Sequence, residues 1–231
     1  MRARDRAASV LYMRPGRRPE DRHSYQRILN SFGLFRHVFV DCCPQPEEIL
    51  RVLRRYRPDA LGGYPGALSR IAEATTERDR REISPGILAA GGEVLTGAMR
   101  EQIRRGFQAP VYNLYGSNEL PLIAWECKET GELHTCDDGV IVEVLKNGRP
   151  AGPGEQGELV GTNLHSFAMP FIRYRQGDVV TRGAGRCACG QPFSTMRAIE
   201  GRTIDYFTLP DGRLMHPYQA VYAVLDAAPW L

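Results

Sequence analysis

Two short polar segments of this sequence carry side chains that suit a nucleotide. Residues 115–119 read Tyr-Gly-Ser-Asn-Glu and lie between apolar runs at 111–114 and 120–125. A turn at the end of a strand would therefore present a phenol, a hydroxyl, an amide and a carboxylate together. Residues 173–178 read Arg-Tyr-Arg-Gln-Gly-Asp and place a carboxylate in a cationic setting. One carboxylate suits a metal ion and the other suits sugar hydroxyls, so the two segments predict a nucleotide site.

A second group of residues has the donor atoms of a zinc site. It comprises Cys127, His134, Cys136, Cys187 and Cys189. Tetrahedral zinc takes four nitrogen or sulfur ligands, and a cluster of this kind in a cytosolic chain is more often a metal site than a set of disulfides. The Cys-Ala-Cys-Gly step at 187–190 can place two thiolates on one ion. The alternative is that these residues are separate buried or surface thiols.

The elements that must position these groups alternate between strand and helix before residue 115. Pro46 followed by two acidic residues predicts the start of one helix, and Thr96 predicts the N-cap of another. Residues 66–80 predict a single helix between them. Strand and helix alternating at this spacing are typical of a parallel α/β layer.

Two of the predicted strands end at polar segments. Apolar runs at 87–90 and 111–114 lead directly into Gly-Gly-Glu at 91–93 and into residues 115–119. In parallel α/β sheets ligands bind beyond the carboxyl ends of the strands. Both polar segments are therefore expected at the ligand-binding edge.

The chain after residue 120 has the pattern of β-structure. Asn147-Gly148 predicts a hairpin turn between strands at 139–145 and 157–162. Further predicted elements are strands at 37–41, 170–174, 179–182 and 205–209, a hairpin turn at 211–212, and helices at 24–35 and 218–225. The overall expectation is an α/β fold with a parallel layer followed by a β-rich region.

Length, charge and cysteine content restrict the class of protein. The chain has 231 residues, a net charge of +3 and six cysteines, which is too few for a disulfide scaffold. The adjacent Cys42 and Cys43 lie in an apolar run and predict small buried side chains. No apolar run is long enough to cross a bilayer and no secretory signal is evident, so we expect a cytoplasmic protein without a membrane partner. The basic residues 1–22 carry no nucleic-acid motif, so nucleic acid is not expected as a partner.

Four motifs in order resemble those of the adenylate-forming enzymes. They are Gly-Gly-Glu at 91–93, Tyr-Gly-Ser-Asn-Glu at 115–119, Arg-Tyr-Arg-Gln-Gly-Asp at 173–178 and Gly-Arg-Thr-Ile-Asp at 201–205. Within that superfamily the sequence is most similar to the phenylacetate–CoA ligase and CapK-like branch, from about Leu50 to about Pro217. The resemblance implies a partial adenylate-forming fold and ATP-dependent activation of a carboxylic acid. It also implies CoA or a carrier protein as the acyl acceptor.

The resemblance assigns roles to individual residues. Glu119 resembles the Mg²⁺-binding Glu, and Asn118 stands where the family usually has Thr or Ser. Asp178 resembles the Asp that accepts hydrogen bonds from both ribose hydroxyls, and Arg202 resembles an Arg on the ribose or phosphate side. The residues expected around the base are Gly91, Gly92 and Glu93 along the adenine, and Tyr115 with its neighbour Gly116 at the stacking position.

The same resemblance selects four zinc ligands from the five candidates. The set is Cys127, His134, Cys187 and Cys189, with Cys136 in reserve. Four protein ligands leave no open position, so the expected zinc is structural.

Two parts of the family pattern have no counterpart here. Residues 1–90 contain no Ser/Thr/Gly-rich phosphate loop, and neither Lys128 nor Lys146 has the context of the family's adenylating lysine. We therefore expect this chain to retain binding of AMP or an acyl-adenylate even if it does not catalyse the reaction. The alternative is a non-catalytic binding or interaction module. A missing domain edge would favour self-association as a homodimer.

Composition and the resemblance together divide the chain into three parts. Residues 1–22 are interpreted as a basic mobile end. Residues 23–200 are interpreted as a partial large adenylation domain, with the α/β layer reaching about residue 120. Residues 201–231 are interpreted as the hinge and the start of a truncated C-terminal domain.

Overall fold

A computed structural model describes residues 5–12 and 36–202, together with the backbone of 207–208 and 214–215. The chain divides into two compact units, Met1–Gly131 and Glu132–Leu231. The helices predicted at 24–35 and 218–225 and the turn predicted at 211–212 lie outside the described residues.

The first unit contains six strands in the order β2-β1-β3-β4-β5-β6. Their bounds are β1 Ala7–Leu11, β2 His37–Asp41, β3 Ala60–Gly63, β4 Ile87–Gly91, β5 Val111–Tyr115 and β6 Ala124–Glu126. Strands β1 to β5 are parallel, and β6 returns antiparallel to β5. The predicted parallel α/β layer is therefore confirmed.

In the described part of this unit, four helices lie along the chain between β2 and β5. Their bounds are α1 Pro46–Tyr56, α2 Pro65–Glu73, α3 Glu77–Glu82 and α4 Gly97–Phe107. Helix α1 begins with proline and two acidic residues, as the sequence predicts. The Met99 N–H donates to Thr96 Oγ1 (3.2 Å), which confirms the predicted N-cap of α4.

One aliphatic core joins the helices and the sheet of this unit. Its fully buried members come from β1, β3, β4 and the three longer helices, and they include Val10, Leu53, Leu61, Leu68, Ile71, Leu88, Ile103 and Phe107. Burying a side chain of this size stabilises the fold by about 1.5–3 kcal/mol, which fixes the strand ends on which the polar segments lie.

Two predictions for this unit are wrong. Strand β1 lies within residues 1–22, so the interpretation of a mobile end does not hold for Ala7–Leu11; these small residues become ordered because β2 and β3 pair on both sides. The single helix predicted at 66–80 is two helices. The Thr76 side chain accepts from the Asp79 N–H and the Asp79 carboxylate accepts from the Thr76 N–H, and this capping box starts α3 anew.

The second unit is an antiparallel sheet of six strands in the order β7-β12-β11-β10-β8-β9. The bounds are β7 Leu133–Thr135, β8 Val140–Lys146, β9 Arg149–Pro150, β10 Gln156–Asn163, β11 Tyr174–Arg182 and β12 Thr195–Arg202. Two further strands of two residues each, β13 at Phe207–Thr208 and β14 at Leu214–Met215, pair antiparallel in a sheet of their own. The β-rich texture predicted after residue 120 is confirmed.

The hairpin turn predicted at Asn147-Gly148 is present, with φ of 52° and 76° at its two residues. It returns into the two-residue strand β9, and β10 pairs with the opposite edge of β8. The strand predicted at 170–174 is wrong, because β11 begins only at Tyr174. Helices long and apolar enough to cross a membrane do not occur in the part of the chain that the structure describes.

Candidate functional site

The polar turns after β4 and β5 lie side by side in the first unit. These strands are parallel neighbours, and Gly91 at the end of β4 pairs with Leu114 in β5. A Cβ atom on Gly91 would lie 2.6 Å from the Leu114 carbonyl oxygen, a distance that real Cβ atoms essentially never show. The close approach of the two backbones therefore requires glycine at position 91.

The Gly-Gly-Glu turn also contacts the start of helix α2. Gly92 has a φ of 84°, and a Cβ there would lie 2.9 Å from Cε1 of Tyr64. Glu93 Oε2 accepts a hydrogen bond from the Gly66 N–H (2.9 Å), at the N-terminus of α2. This carboxylate satisfies a helix-end donor and complements the helix dipole, so it holds the turn after β4 in position.

The turn after β5 presents the predicted Tyr-Gly-Ser-Asn-Glu side chains. The Ser117 N–H donates to the Leu120 carbonyl (2.8 Å), and the Leu120 N–H donates to Ser117 Oγ (3.1 Å), which closes the turn. Asn118 is exposed and Glu119 is half-buried, while the Tyr115 side chain is buried. A Cβ on the intervening Gly116 would overlap the Pro121 carbonyl. The amide and the carboxylate therefore lie at the carboxyl edge of the parallel sheet.

Asp178 forms the centre of a separate polar group in the second unit. The carboxylate is buried, with 6% of the residue exposed. Gln176 Nε2 donates to Asp178 Oδ2 (2.9 Å), and Arg202 Nε donates to Asp178 Oδ1 (3.1 Å). Asp178 and Arg202 are partners in the register of β11 and β12, so the sheet itself places this ion pair.

The two arginines that precede Asp178 make ion pairs on the sheet. Arg173 donates two hydrogen bonds to the Glu143 carboxylate (2.9 and 3.1 Å), and Arg175 lies 2.6 Å from Glu158. Exposed pairs of this kind are worth about 0–1 kcal/mol, so they contribute to positioning more than to stability.

The four residues selected as zinc ligands lie together where the chain passes from β6 to β7. The Sγ atoms of Cys127, Cys187 and Cys189 and a ring nitrogen of His134 are all within 4.8 Å of one another. Cys189 Sγ is 3.3 Å from His134 Nε2. The three ligands other than Cys189 are buried. A donor set of three thiols and one imidazole in this arrangement fits a tetrahedral zinc ion.

The reserve ligand is not part of this cluster. Cys136 Sγ lies 3.3 Å from Asp138 Oδ1, and the residue is half-buried. Gly190, with a φ of 82°, turns the chain after Cys189 and donates its N–H to the Cys187 carbonyl (3.2 Å). This tight turn keeps together the two cysteines of the Cys-Ala-Cys-Gly step.

Two residues that touch these groups were not singled out as site residues from the sequence. Tyr64 packs on Gly92, and Gln176 binds Asp178. Gln176 could have been found, because residues two apart on a strand face the same side. Tyr64 could not, since its contact depends on how α2 packs.

Comparison with known proteins identifies the family of this chain. No family model matches the sequence. The chain is 32% identical over 190 residues to the phenylacetate-coenzyme A ligase of Thermus thermophilus, a match that covers 79% of this chain and 42% of that protein. It is 30% identical over 132 residues to Protein CapK of Staphylococcus aureus, covering 57% of this chain and 28% of CapK. The chain belongs to the adenylate-forming superfamily, in its phenylacetate–CoA ligase and CapK-like branch.

A solved structure supports the adenylate-forming fold. A 2-hydroxyisobutyryl-CoA ligase, crystallised with its acyl-AMP and CoA, superimposes with a TM-score of 0.72 at 20% identity, over 98% of this chain and 51% of that one. The chain thus spans about two fifths of the Thermus thermophilus ligase and half of the solved ligase.

Proposed function

We propose that this chain binds ATP and a carboxylic acid and takes part in forming an acyl-adenylate, as in a phenylacetate–CoA ligase. In that reaction a carboxylate attacks the α-phosphate, pyrophosphate leaves, and the acyl group passes to CoA or a carrier protein. The observation that supports the proposal most strongly is the pairing of Gly91 with Leu114, because it brings two segments that resemble the family's nucleotide-binding motifs to one sheet edge.

In the first unit, we propose that Glu119 binds Mg²⁺ and that Asn118 donates to a phosphate oxygen. Oxygen ligands suit Mg²⁺, which usually binds one or two carboxylates together with substrate phosphates. Residues 91–93 would lie along the adenine, where glycine lets a flat ring approach the backbone. Tyr115 would contact the base.

In the second unit, we propose that Asp178 accepts hydrogen bonds from the ribose hydroxyls. A carboxylate suits this task because it can accept from two hydroxyls at once. Gln176 and Arg202 hold the group in one orientation, so little conformational freedom is lost when a sugar binds. Arg202 would contact the ribose or a phosphate from the same position.

We also propose that Cys127, His134, Cys187 and Cys189 bind a structural zinc ion. Bound zinc would hold these four side chains together. Purified protein should contain about one zinc per chain, and chelation should lower its stability, because an ion that binds only the folded state stabilises it. Less than about a tenth of an equivalent in protein never exposed to chelator would contradict the assignment.

Two further proposals concern the location and the association state of the protein. Thiolate ligands persist in a reducing compartment, so we propose that the protein is cytoplasmic. We propose self-association as a homodimer, which sedimentation equilibrium would test directly.

Carboxylate-dependent ATP–pyrophosphate exchange tests the enzymatic proposal. It should be measured on this chain and on a version extended to the full length of the family relatives. Exchange by either would support the proposal, and exchange by neither would contradict it.

The alternative is a module that binds AMP or an acyl-adenylate without turnover. It is favoured by the position of Lys146, whose Nζ pairs with Glu155 at 2.7 Å and is therefore engaged by a carboxylate. AMP binding without exchange in either version would support this alternative.

A further inference from the structure

A second cluster of metal-binding atoms lies at the carboxyl end of β2. Asp41 is the last residue of that strand, and Cys42 and Cys43 follow it directly. The two Sγ atoms and a carboxylate oxygen of Asp41 all lie within 4.8 Å of one another. Cys43 is exposed and Cys42 is half-buried, so the prediction that both are buried apolar side chains is wrong for Cys43.

The backbone of this cluster is held from two sides. Arg70, from helix α2, donates to the Cys42 carbonyl and also to the Pro44 carbonyl (3.2 Å). The Cys43 N–H donates to Asp41 Oδ1 (3.2 Å), which closes a short turn. These bonds fix residues 41–44 without using either thiol.

Two thiols and one carboxylate form a donor set that prefers thiophilic ions. Soft thiolate ligands select ions such as Zn²⁺ and Cd²⁺ over Mg²⁺ or Ca²⁺. A tetrahedral ion with metal–sulfur bonds of about 2.3 Å holds its two sulfurs roughly 3.8 Å apart. The two Sγ atoms are at most 4.8 Å apart, so reaching that distance requires a thiol to move by about 1 Å or less. A rotation about χ1 of an exposed cysteine provides such a movement.

We propose that Asp41, Cys42 and Cys43 form a second metal site, which binds one thiophilic ion and leaves a coordination position open. Because three protein ligands leave an open position, the ion would exchange with solution more readily than the ion proposed at the four-ligand cluster. The site is also separate from the strand-end turns, since β2 lies three strand spacings, about 14 Å, from β4. It therefore does not depend on the proposed nucleotide function.

Cadmium uptake tests the site through thiolate-to-metal charge-transfer absorption. The intact chain is titrated with Cd²⁺ alongside a Cys42→Ser/Cys43→Ser variant. The matched control is Cys136→Ser, which removes a thiol that also lies beside an aspartate but outside both clusters. We expect the intact chain and the control to bind one more Cd²⁺ than the double variant.

Equal uptake by the intact chain and the double variant would overturn the proposal. So would a loss in Cys136→Ser as large as that in the double variant. If the four-ligand cluster binds no metal, uptake falls equally in all three proteins and the difference of one ion remains. The experiment therefore tests this site independently of the zinc assignment at the four-ligand cluster.

A single substitution at the exposed Cys43 provides a second test in case the double variant does not fold. Cys43→Ser removes one ligand without disturbing the core, and its circular dichroism should match that of the intact chain. The affinity for the additional Cd²⁺ should fall by at least about tenfold, since changing residues around a metal site outside the ligands already costs 10- to 100-fold. An unchanged affinity would contradict the proposal, whereas AMP binding should be the same in both proteins.

Discussion

Replacing Gly91 by alanine would test whether the contact between β4 and β5 shapes the proposed nucleotide site. The new Cβ atom would lie 2.6 Å from the Leu114 carbonyl oxygen and 3.3 Å from Leu114 Cβ. Ordinary contacts begin at 3.4 Å, so the two strands must separate locally by about 0.8 Å. The obstacle is backbone, and a rotamer change cannot remove it.

The expected cost follows from this forced separation. Inserting a methyl group into a closely packed position costs about 1–3 kcal/mol. The matched control is Gly97→Ala at the start of α4, where an added Cβ meets no atom within 4 Å. Alanine is intrinsically better than glycine in a helix by up to about 1 kcal/mol, so the control should be neutral or slightly stabilising.

Urea denaturation and AMP calorimetry would measure both consequences. We expect Gly91→Ala to lower the midpoint at unchanged slope, and to weaken AMP binding by about tenfold, or about 1.4 kcal/mol. Gly97→Ala should retain both properties. If the two variants proved alike in stability and in AMP affinity, the strand contact would have neither proposed role.

Two further predictions concern charges that hold elements in place. Asp79 is 2% exposed, pairs with Arg54 and accepts a hydrogen bond from the Thr76 N–H (2.9 Å). We expect Asp79→Asn to lower the free energy of unfolding by about 1–3 kcal/mol at pH 7. This range is below that of a fully buried pair, because a quarter of the Arg54 side chain is exposed to solvent. Desolvation alone raises the pKa of Asp79, but the Thr76 and Arg54 hydrogen bonds outweigh it and lower that pKa. The stabilisation by the Asp79 carboxylate should therefore be complete above about pH 4 and should shrink as the pH falls below that value. Unfolding of the intact chain and of Asp79→Asn would be measured in acid titrations. A difference in their free energies of unfolding that stays constant down to about pH 2 would contradict this prediction. Glu93→Ala removes the acceptor for the Gly66 N–H and should cost about 0.5–2 kcal/mol in urea denaturation, whereas an unchanged midpoint would deny Glu93 that capping role.

Structural features that depend on neighbouring residues in the chain could be predicted from the sequence. Thr96 caps α4 because its own hydroxyl reaches the Met99 N–H. Asn147 and Gly148 form a hairpin turn because both adopt a positive φ, which these residue types tolerate. The capping box of Thr76 and Asp79 is equally local, and its three-residue spacing is a sequence signal for a new helix start within residues 66–80.

Features that depend on distant contacts were harder to predict. Strand β1 has a short, small-residue sequence in an arginine-rich segment, and only pairing with β2 and β3 makes it a strand. The burial of Cys42 and Cys43 was inferred from the apolar run before them, but that run ends at the edge of the sheet.

In the candidate site, too, some features could be predicted from the sequence, whereas those that depend on distant contacts could not. Donor type predicted five candidate metal ligands, and the family resemblance selected from them the four residues that meet in one cluster. The contacts of Tyr64 with Gly92 and of Gly66 with Glu93 depend on the packing of α2 and were not predicted.

Calorimetric titration of AMP into the intact chain and into Asp178→Ala tests the proposed nucleotide site most directly. Asp178 is buried and held by two donors, so its carboxylate should provide a preformed acceptor. We predict saturable binding to the intact chain and at least about tenfold weaker binding to the variant, since hydrogen bonds to a charged group are worth about 1.5–3 kcal/mol. The absence of AMP binding, or equal affinity in the two proteins, would contradict the account.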